Sequence, residues 1–238
     1  MTKTVLITGA AKRIGRQLGL CLAAAGYDVV IHHGHSDTEA PLVLSQIEKL
    51  GRNAYIIKSD LSKPENLLAD LGNLPSGLEI TCLINNAAIF ETLSFQDSSL
   101  DDWNRHMAVN LTAPFLLSKW FVERLKPGAH GQIINILDWR ALRPGMDHFP
   151  YTISKAALAA MTQAMAVSLA PNITVNGIAF GAILPPSDGS STEKMLESVP
   201  LGRTAEMDEV CQTVQFLIQG PQYITGEIIH LDGGRHLI

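Results

Sequence analysis

The chain has 238 residues, 46% hydrophobic and 17% charged, and its 18 Lys and Arg against 23 Asp and Glu give a formal net charge of −5. With no Lys/Arg cluster, that balance argues against nucleic acid or an anionic membrane as a partner and leaves small molecules. No apolar run is long enough to span a membrane, and no linker, repeat or low-complexity tract divides the chain, so a single soluble domain over residues 1–238 in the cytoplasm is the expectation.

Val5-Leu-Ile-Thr8 reads as a buried strand, and Gly9-Ala-Ala-Lys-Arg-Ile-Gly15 separates it from a helical pattern over Arg16–Ala25. Free N–H groups at a helix start suit a phosphate, with Gly9 allowing the turn and Gly15 a close approach. A dinucleotide fingerprint would carry a third glycine where Arg13 stands, so the segment also fits an ordinary strand-to-helix turn. The second strand, Tyr27–His32, runs into His-Gly-His-Ser36. An NAD site usually offers a carboxylate here to the ribose, whereas His32, His35 and Ser36, with Lys12 and Arg13 from the first turn, offer donors to a 2′-phosphate, which favours NADPH. Asp37 stands one or two residues late for the carboxylate role. The three histidines lack a carboxylate or Cys at matching spacing, so no metal is expected.

A helix over Thr38–Leu50 leads to a third strand, Ala54–Lys58, and then to Asp60, which either accepts from an adenine amino group or caps the helix that Ser62, Pro64 and Glu65 announce. Leu78–Ile84 is the fourth strand and delivers Asn85-Asn-Ala-Ala-Ile-Phe90 to its carboxyl end. Leu100–Leu125 is a long helical stretch with Asn110 and Pro114 inside it; Asn110 either holds a kink open around a water or is merely tolerated. Gly131–Leu137 is a buried strand that ends at Asp138, and Tyr151-Thr-Ile-Ser-Lys155 opens a helix rich in Ala, Leu and Met. A separation of four places Tyr151 and Lys155 on one helical face, where an ammonium favours the phenolate of a group that titrates near ~10 alone, making Tyr151 a candidate general acid/base. Ile173–Ala179 is the sixth strand; the segment from 180 to about 200 resembles a substrate lid; a helix over Glu206–Gln219 and a strand over Glu227–Leu231 close the chain. Seven strands alternating with helices predict an α/β domain, Rossmann-like and doubly wound, with a seven-stranded parallel sheet. In such sheets ligands bind at the carboxyl ends of strands, so Asp138, Phe90 and the start of the Tyr151 helix face one crevice. Cys21, Cys82 and Cys211 lie far apart in apolar stretches, and no disulfide is expected.

Thr8-Gly-Ala-Ala-Lys-Arg-Ile-Gly15, Asn85-Asn-Ala, Asn110, Tyr151-x-x-x-Lys155, Val175-Asn-Gly and the ending Tyr223-Ile-Thr-Gly-Glu…Leu231-Asp-Gly-Gly234 together resemble the short-chain dehydrogenase/reductase family over essentially the whole chain. The resemblance implies that Tyr151 is the catalytic acid, that Lys155 binds the nicotinamide ribose and lowers the tyrosine pKa, and that Asn110 holds a water in a proton relay. It also implies that Ile14, Leu61, Asn86, Ala87, Gly181 and Ile183 line the cofactor. Most members have Ser where this chain has Asp138 and Gly where it has Arg13; both departures resemble the pteridine reductases, dihydromonapterin reductases included, as do the His/Ser strand end and Phe90. In that branch Arg13 and Phe90 touch the pterin, which is sandwiched between the Phe and the nicotinamide. A carboxylate at Asp138 would repel a developing alkoxide but accepts from pterin N–H groups, which favours pterin over carbonyl reduction. Ala88, Phe180 and Ile183 depart from residues usual in the family. The resemblance further implies a homotetramer, with the Leu100–Leu125 and Tyr151–Ala170 helices packed on symmetry mates through Ala156, Ala157, Ala159 and Ala160.

Overall fold

The computed structural model describes residues 3–184 and 192–238. The seven strands are β1 Thr4–Ile7, β2 Asp28–His33, β3 Ala54–Lys58, β4 Ile80–Asn85, β5 Gly131–Asp138, β6 Ile173–Phe180 and β7 Ile228–Leu231. They form one sheet in the order β3-β2-β1-β4-β5-β6-β7, with every pair parallel. The strand order reverses direction at β1, which pairs with β2 on one edge and β4 on the other. Helices α1 Arg13–Ala24, α2 Glu39–Lys49 and, near the end, α8 Met207–Gln219 cover one face; α3 Pro64–Leu71, α5 Ala113–Arg124 and α6 Phe149–Leu169 cover the other. Helices α4 Leu100–Met107 and α7 Thr192–Leu196 complete the set among the described residues.

Alternation along each strand feeds both cores. Val5, Ile7, Val29, Ile31, Cys82 and Ile84 pack under α1, α2 and α8, while Leu6, Val30 and Leu83 point the other way, against α3 and α5. Parallel strands buried on both faces read as continuous apolar runs, which is why these segments were legible from composition alone. The doubly wound α/β expectation therefore holds strand for strand, with boundaries moved by a residue or two.

One expectation needs correction. The Leu100–Leu125 stretch is not one helix: α4 ends at Met107, residues Ala108–Thr112 form a π-helical turn, and α5 starts with Pro114 in its first turn. Proline lacks the N–H that an interior helix position needs, and the wider turn absorbs the break. Cys21 and Cys211, remote in sequence, become neighbours where α1 meets α8 and remain free thiols. Of the predicted lid, residues 185–191 lie outside the described residues, and α7 follows directly after them.

Candidate active site

The carboxyl ends of β1, β4, β5 and β6 open into a cleft of about 670 Å³. Its floor is set by Thr8, whose hydroxyl accepts from Asn86 N–H and Ala87 N–H at 2.9 Å each, tying the ends of β1 and β4 together. The Asn86 side chain donates to the Thr8 carbonyl at 2.8 Å and is thereby held against the turn. Gly9 has φ +65, and a side chain on Gly15 would lie 2.2 Å from the Gly9 carbonyl oxygen, so the turn folds back on itself at a distance only glycine permits. The N-terminal turn of α1 thus presents backbone N–H groups to the cleft, a cradle suited to phosphate. Arg13, standing where a third glycine is usual, adopts φ +50, so the left-handed backbone persists without the residue that favours it.

At the other end, Tyr151 is 6% exposed and donates from its hydroxyl to Asp138 Oδ2 at 3.2 Å. Asp138 ends β5, and its Oδ1 accepts from the Arg140 N–H at 2.9 Å, which aims the carboxylate into the cleft. Lys155, one helical turn beyond Tyr151, is 2% exposed and donates from Nζ to the Ile136 carbonyl at 2.7 Å. Burial lowers the Lys155 pKa to about 8, against a smaller opposing pull from Asp138. Tyr151 moves the other way, well above the usual phenol value, first because it is buried and then because Asp138 faces it. The Lys155 ammonium is directed to a main-chain carbonyl, and Tyr151 holds its proton, the form an acid needs in order to give one.

Phe90 lies over this group half exposed, stacked on His148 with ring centroids 3.9 Å apart and edge-on to Tyr151 at 4.6 Å. The Arg140 guanidinium stands 5.6 Å from the Phe90 ring centre and is anchored to Asp147 at 2.9 Å. His148 has φ +51 and its Nδ1 donates to the Glu91 carbonyl at 2.8 Å, so a left-handed residue at the head of α6 pins the Phe90 loop.

The fold brings Gly9, Lys12, Arg13, Ile14, Gly15, Asn86, Ala87, Phe90, Asp138, Tyr151, Lys155, Gly181 and Ile183 to the wall of this one cleft. Other predicted residues lie elsewhere. His32 is 1% exposed; its Nδ1 accepts from Gly9 N–H at 3.2 Å and its Nε2 faces the Ser59 carbonyl at 3.1 Å. That commits a neutral ring, whose pKa burial lowers to about 4, to holding the glycine turn, with no donor left for a 2′-phosphate. Leu61 packs its side chain into the core against α3. Asp60 Oδ1 accepts from Ser62 N–H at 3.0 Å and Ser62 Oγ at 2.7 Å, closing a side-chain turn ahead of α3, whose N-cap is Lys63. Lys12 pairs with Glu39 at 2.8 Å and Asp37 with Lys58 at 2.8 Å, while His35, exposed past the end of β2, stands 3.9 Å from Asp60. Asn110 is fully buried in the π-helical turn; its Oδ1 accepts from Ile89 N–H at 3.0 Å, and its Nδ2 donates to the Ile89 carbonyl at 3.1 Å and to Ser154 Oγ at 3.0 Å. Its side chain therefore clamps the Phe90 loop to α6 and has no free donor for a relay water.

Sequence reasoning missed Trp139, Arg140, His148 and Arg235, which crowd around Asp138 and Phe90. It also missed the buried chain in which Asn85 donates to Asn135 and Asn135 to Thr162, at 2.8 Å each, bracing β4, β5 and α6 beneath the site. A polar residue inside an apolar strand, as at Asn135, is a signal that periodicity carries and that went unused.

A strand-end cleft with a glycine turn at one side and a buried Tyr-Lys pair at the other defines a nucleotide-dependent reductase site, and the chain belongs to the short-chain dehydrogenase/reductase family. The family model described as enoyl-(acyl carrier protein) reductase matches residues 9–236. A 3-oxoacyl-[acyl-carrier-protein] reductase of Aquifex aeolicus is 34% identical, the match covering 98% of this chain and 96% of that protein. Among solved structures, FolM alternative dihydrofolate reductase 1 of Brucella canis, complexed with NADP, is 34% identical with a TM-score of 0.89, covering 99% of this chain and 95% of that one. An angucycline C-6 ketoreductase with bound NADP is 28% identical with a TM-score of 0.92, covering 99% of this chain and 96% of that one.

Proposed function

We propose that the protein reduces a dihydropterin to the tetrahydro form with NADPH. The observation that carries this reading is the carboxylate of Asp138 against the Tyr151 hydroxyl at 3.2 Å, under the half-exposed face of Phe90. Gly9, Gly15 and the start of α1 fit a pyrophosphate, and Arg13, His35 and Ser36 fit a 2′-phosphate, since Asp37 is turned to Lys58. NADPH, when bound, supplies the hydride. Phe90 stacks on the pterin ring, Asp138 accepts from its N–H and amino groups, and Tyr151 gives its proton to the ring nitrogen of the C=N bond whose carbon takes the hydride, so that one hydride and one proton saturate it. Lys155 holds the ribose and, while charged, supports the phenolate left behind.

The FolM likeness and the charge of Asp138 support the pterin; the second reading, reduction of a 3-oxoacyl or other carbonyl substrate, rests on the Aquifex relative. In carbonyl reduction an oxyanion develops beside Tyr151, where a carboxylate at Asp138 repels it. NADPH oxidation with dihydromonapterin, dihydrobiopterin, dihydrofolate and an acetoacetyl thioester separates the two. Asp138→Ser is expected to lower kcat/KM for dihydropterins about ten- to a hundredfold, the worth of a charge-assisted hydrogen bond, and undiminished turnover in that variant would refute the assignment. The same reading includes a cytoplasmic homotetramer: α5 and α6 leave Phe115 and Val167 uncovered, whereas Ala159 is buried in the chain's own core and gives nothing to such a contact. A monomer by light scattering at micromolar concentration would contradict the assembly.

A further inference from the structure

Arg235 follows the double glycine after β7, in the short 3₁₀ turn Arg235–Leu237, and reaches back across the cleft to the residue after Asp138. Its guanidinium lies 4.5 Å from the centre of the Trp139 ring, and the Arg140 guanidinium lies 4.8 Å from the same ring. Arg140 is compensated by Asp147 at 2.9 Å and Asp138 at 3.6 Å. Arg235 has no such partner among the described residues, because every nearby carboxylate is already committed. Asp232 accepts from Gly234 N–H at 3.0 Å and from His236 N–H and Nδ1 at 2.8 Å each. Asp138 serves Tyr151 and the Arg140 N–H, and Asp147 serves Arg140.

Two buried donors here lack any acceptor among the described residues: Arg235 Nε and Trp139 Nε1. Buried N–H groups without acceptors are rare and costly, and a bound partner is the usual resolution. Water would satisfy the indole but would leave Arg235 without an ion-pair partner among the described residues. Burial and the neighbouring Arg140 push the Arg235 pKa down, against smaller opposing pulls from Asp138, Asp147 and Asp232. An oxyanion in the cleft compensates the charge of Arg235, which lines it.

We propose that Arg235, stacked on Trp139, forms an anion subsite beside Asp138 that takes a carboxylate or phosphate carried on the side chain of the substrate. The subsite rests on the pterin reading for the ring but not for the charge: it says that the preferred pterin bears an anionic tail. A guanidinium matches two oxygens of one anion, and the placement of Asp138 for ring donors with Arg235 for the tail fixes which way the substrate lies.

The test compares kcat/KM for dihydrofolate, whose tail ends in carboxylates, for dihydromonapterin, whose tail is uncharged, and for the phosphate ester of dihydromonapterin. In Arg235→Gln the ratio of charged to uncharged substrate is expected to fall about ten- to a hundredfold, chiefly through KM, with Arg235→Lys keeping part of it. The charged substrate that falls tells carboxylate from phosphate. Circular dichroism and NADPH affinity of the arginine variants, expected to match wild type, guard against misfolding. If no pterin is reduced, the pterin reading fails, and the subsite is judged on acetoacetyl-coenzyme A against an uncharged acetoacetyl thioester in the same variants. Ratios unchanged in these variants, equal losses on charged and uncharged substrates, or turnover of neither pair would overturn the subsite.

Discussion

Replacing Lys155 by Met removes a buried ammonium at nearly constant volume, and the structure fixes what that should do to stability. In the folded chain burial lowers the Lys155 pKa from 10.5 to about 8. That difference corresponds to roughly 3 kcal/mol by which the fold disfavours the charged form. Because the folded-state value is the lower one, the cost is present in full below pH about 8, where both states hold the proton. Between about 8 and 10.5 the folded chain has released the proton while the unfolded chain has not, so wild-type stability rises with pH across that window. Met forfeits the bond to the Ile136 carbonyl, about 1 kcal/mol, so the variant should be more stable than wild type by about 2 kcal/mol at neutral pH while losing reductase activity. By pH 9.5 the wild type regains about 2 kcal/mol and the gap closes. Urea unfolding of both proteins, followed by circular dichroism at the two pH values, measures this double difference, in which all other titrating groups cancel. A gap independent of pH, or a Met variant less stable at neutral pH, would refute the reasoning.

Because the charged form of Lys155 is the one that holds the ribose and supports the Tyr151 phenolate, kcat/KM for NADPH should fall as pH rises through about 8, with no counterpart limb from Tyr151 in that range; steady-state profiles against pH check it. Phe90→Ala should lower kcat/KM for a dihydropterin about two- to tenfold through lost stacking, and an unchanged value would place the ring elsewhere. Arg13→Gly relieves a left-handed arginine, so thermal unfolding should show a gain of up to about 1 kcal/mol while KM for NADPH rises about tenfold; a loss of stability would show that the φ is not strained. NADPH should exceed NADH by at least about tenfold in kcat/KM, since the carboxylate nearest the end of β2, Asp37, is paired with Lys58, and equal values would contradict that site.

The strands and most helices were legible because burial on both sheet faces writes itself as uninterrupted Val, Ile and Leu, and the cleft was legible because it must open where those strands end. Asp138, Tyr151 and Lys155 share the cleft for that reason. What stayed hidden depends on partners distant in sequence. Whether His32 would face a ligand or the Gly9 turn is decided by Ser59, just past β3, and whether Lys12 is free is decided by Glu39 on α2. Asn110 was recognisable as a break in a helix, but the clamp it makes needs Ile89 and Ser154, residues that no local spacing connects. Arg235 enters the site from beyond β7, and the Leu231-Asp-Gly-Gly234 motif just before it gives no sign that its side chain reaches the residue after Asp138.

The place of β1 in the sheet also governs how the protein is made. Emerging from the ribosome, Val5, Leu6 and Ile7 can pair with β2 early, yet their other edge stays open until Ile80–Asn85 has been synthesised and slides in alongside. An unprotected apolar edge is the place where nascent chains mispair, so aggregation during synthesis hinges on the wait for β4. Thr8 closes that gap, since its hydroxyl takes the N–H groups of Asn86 and Ala87 only once β4 is seated. Recovery of cofactor binding after dilution from denaturant therefore times the docking of the two halves, and a Thr8→Val chain should refold with a slower or less complete return of that signal even where its secondary structure forms at the normal rate.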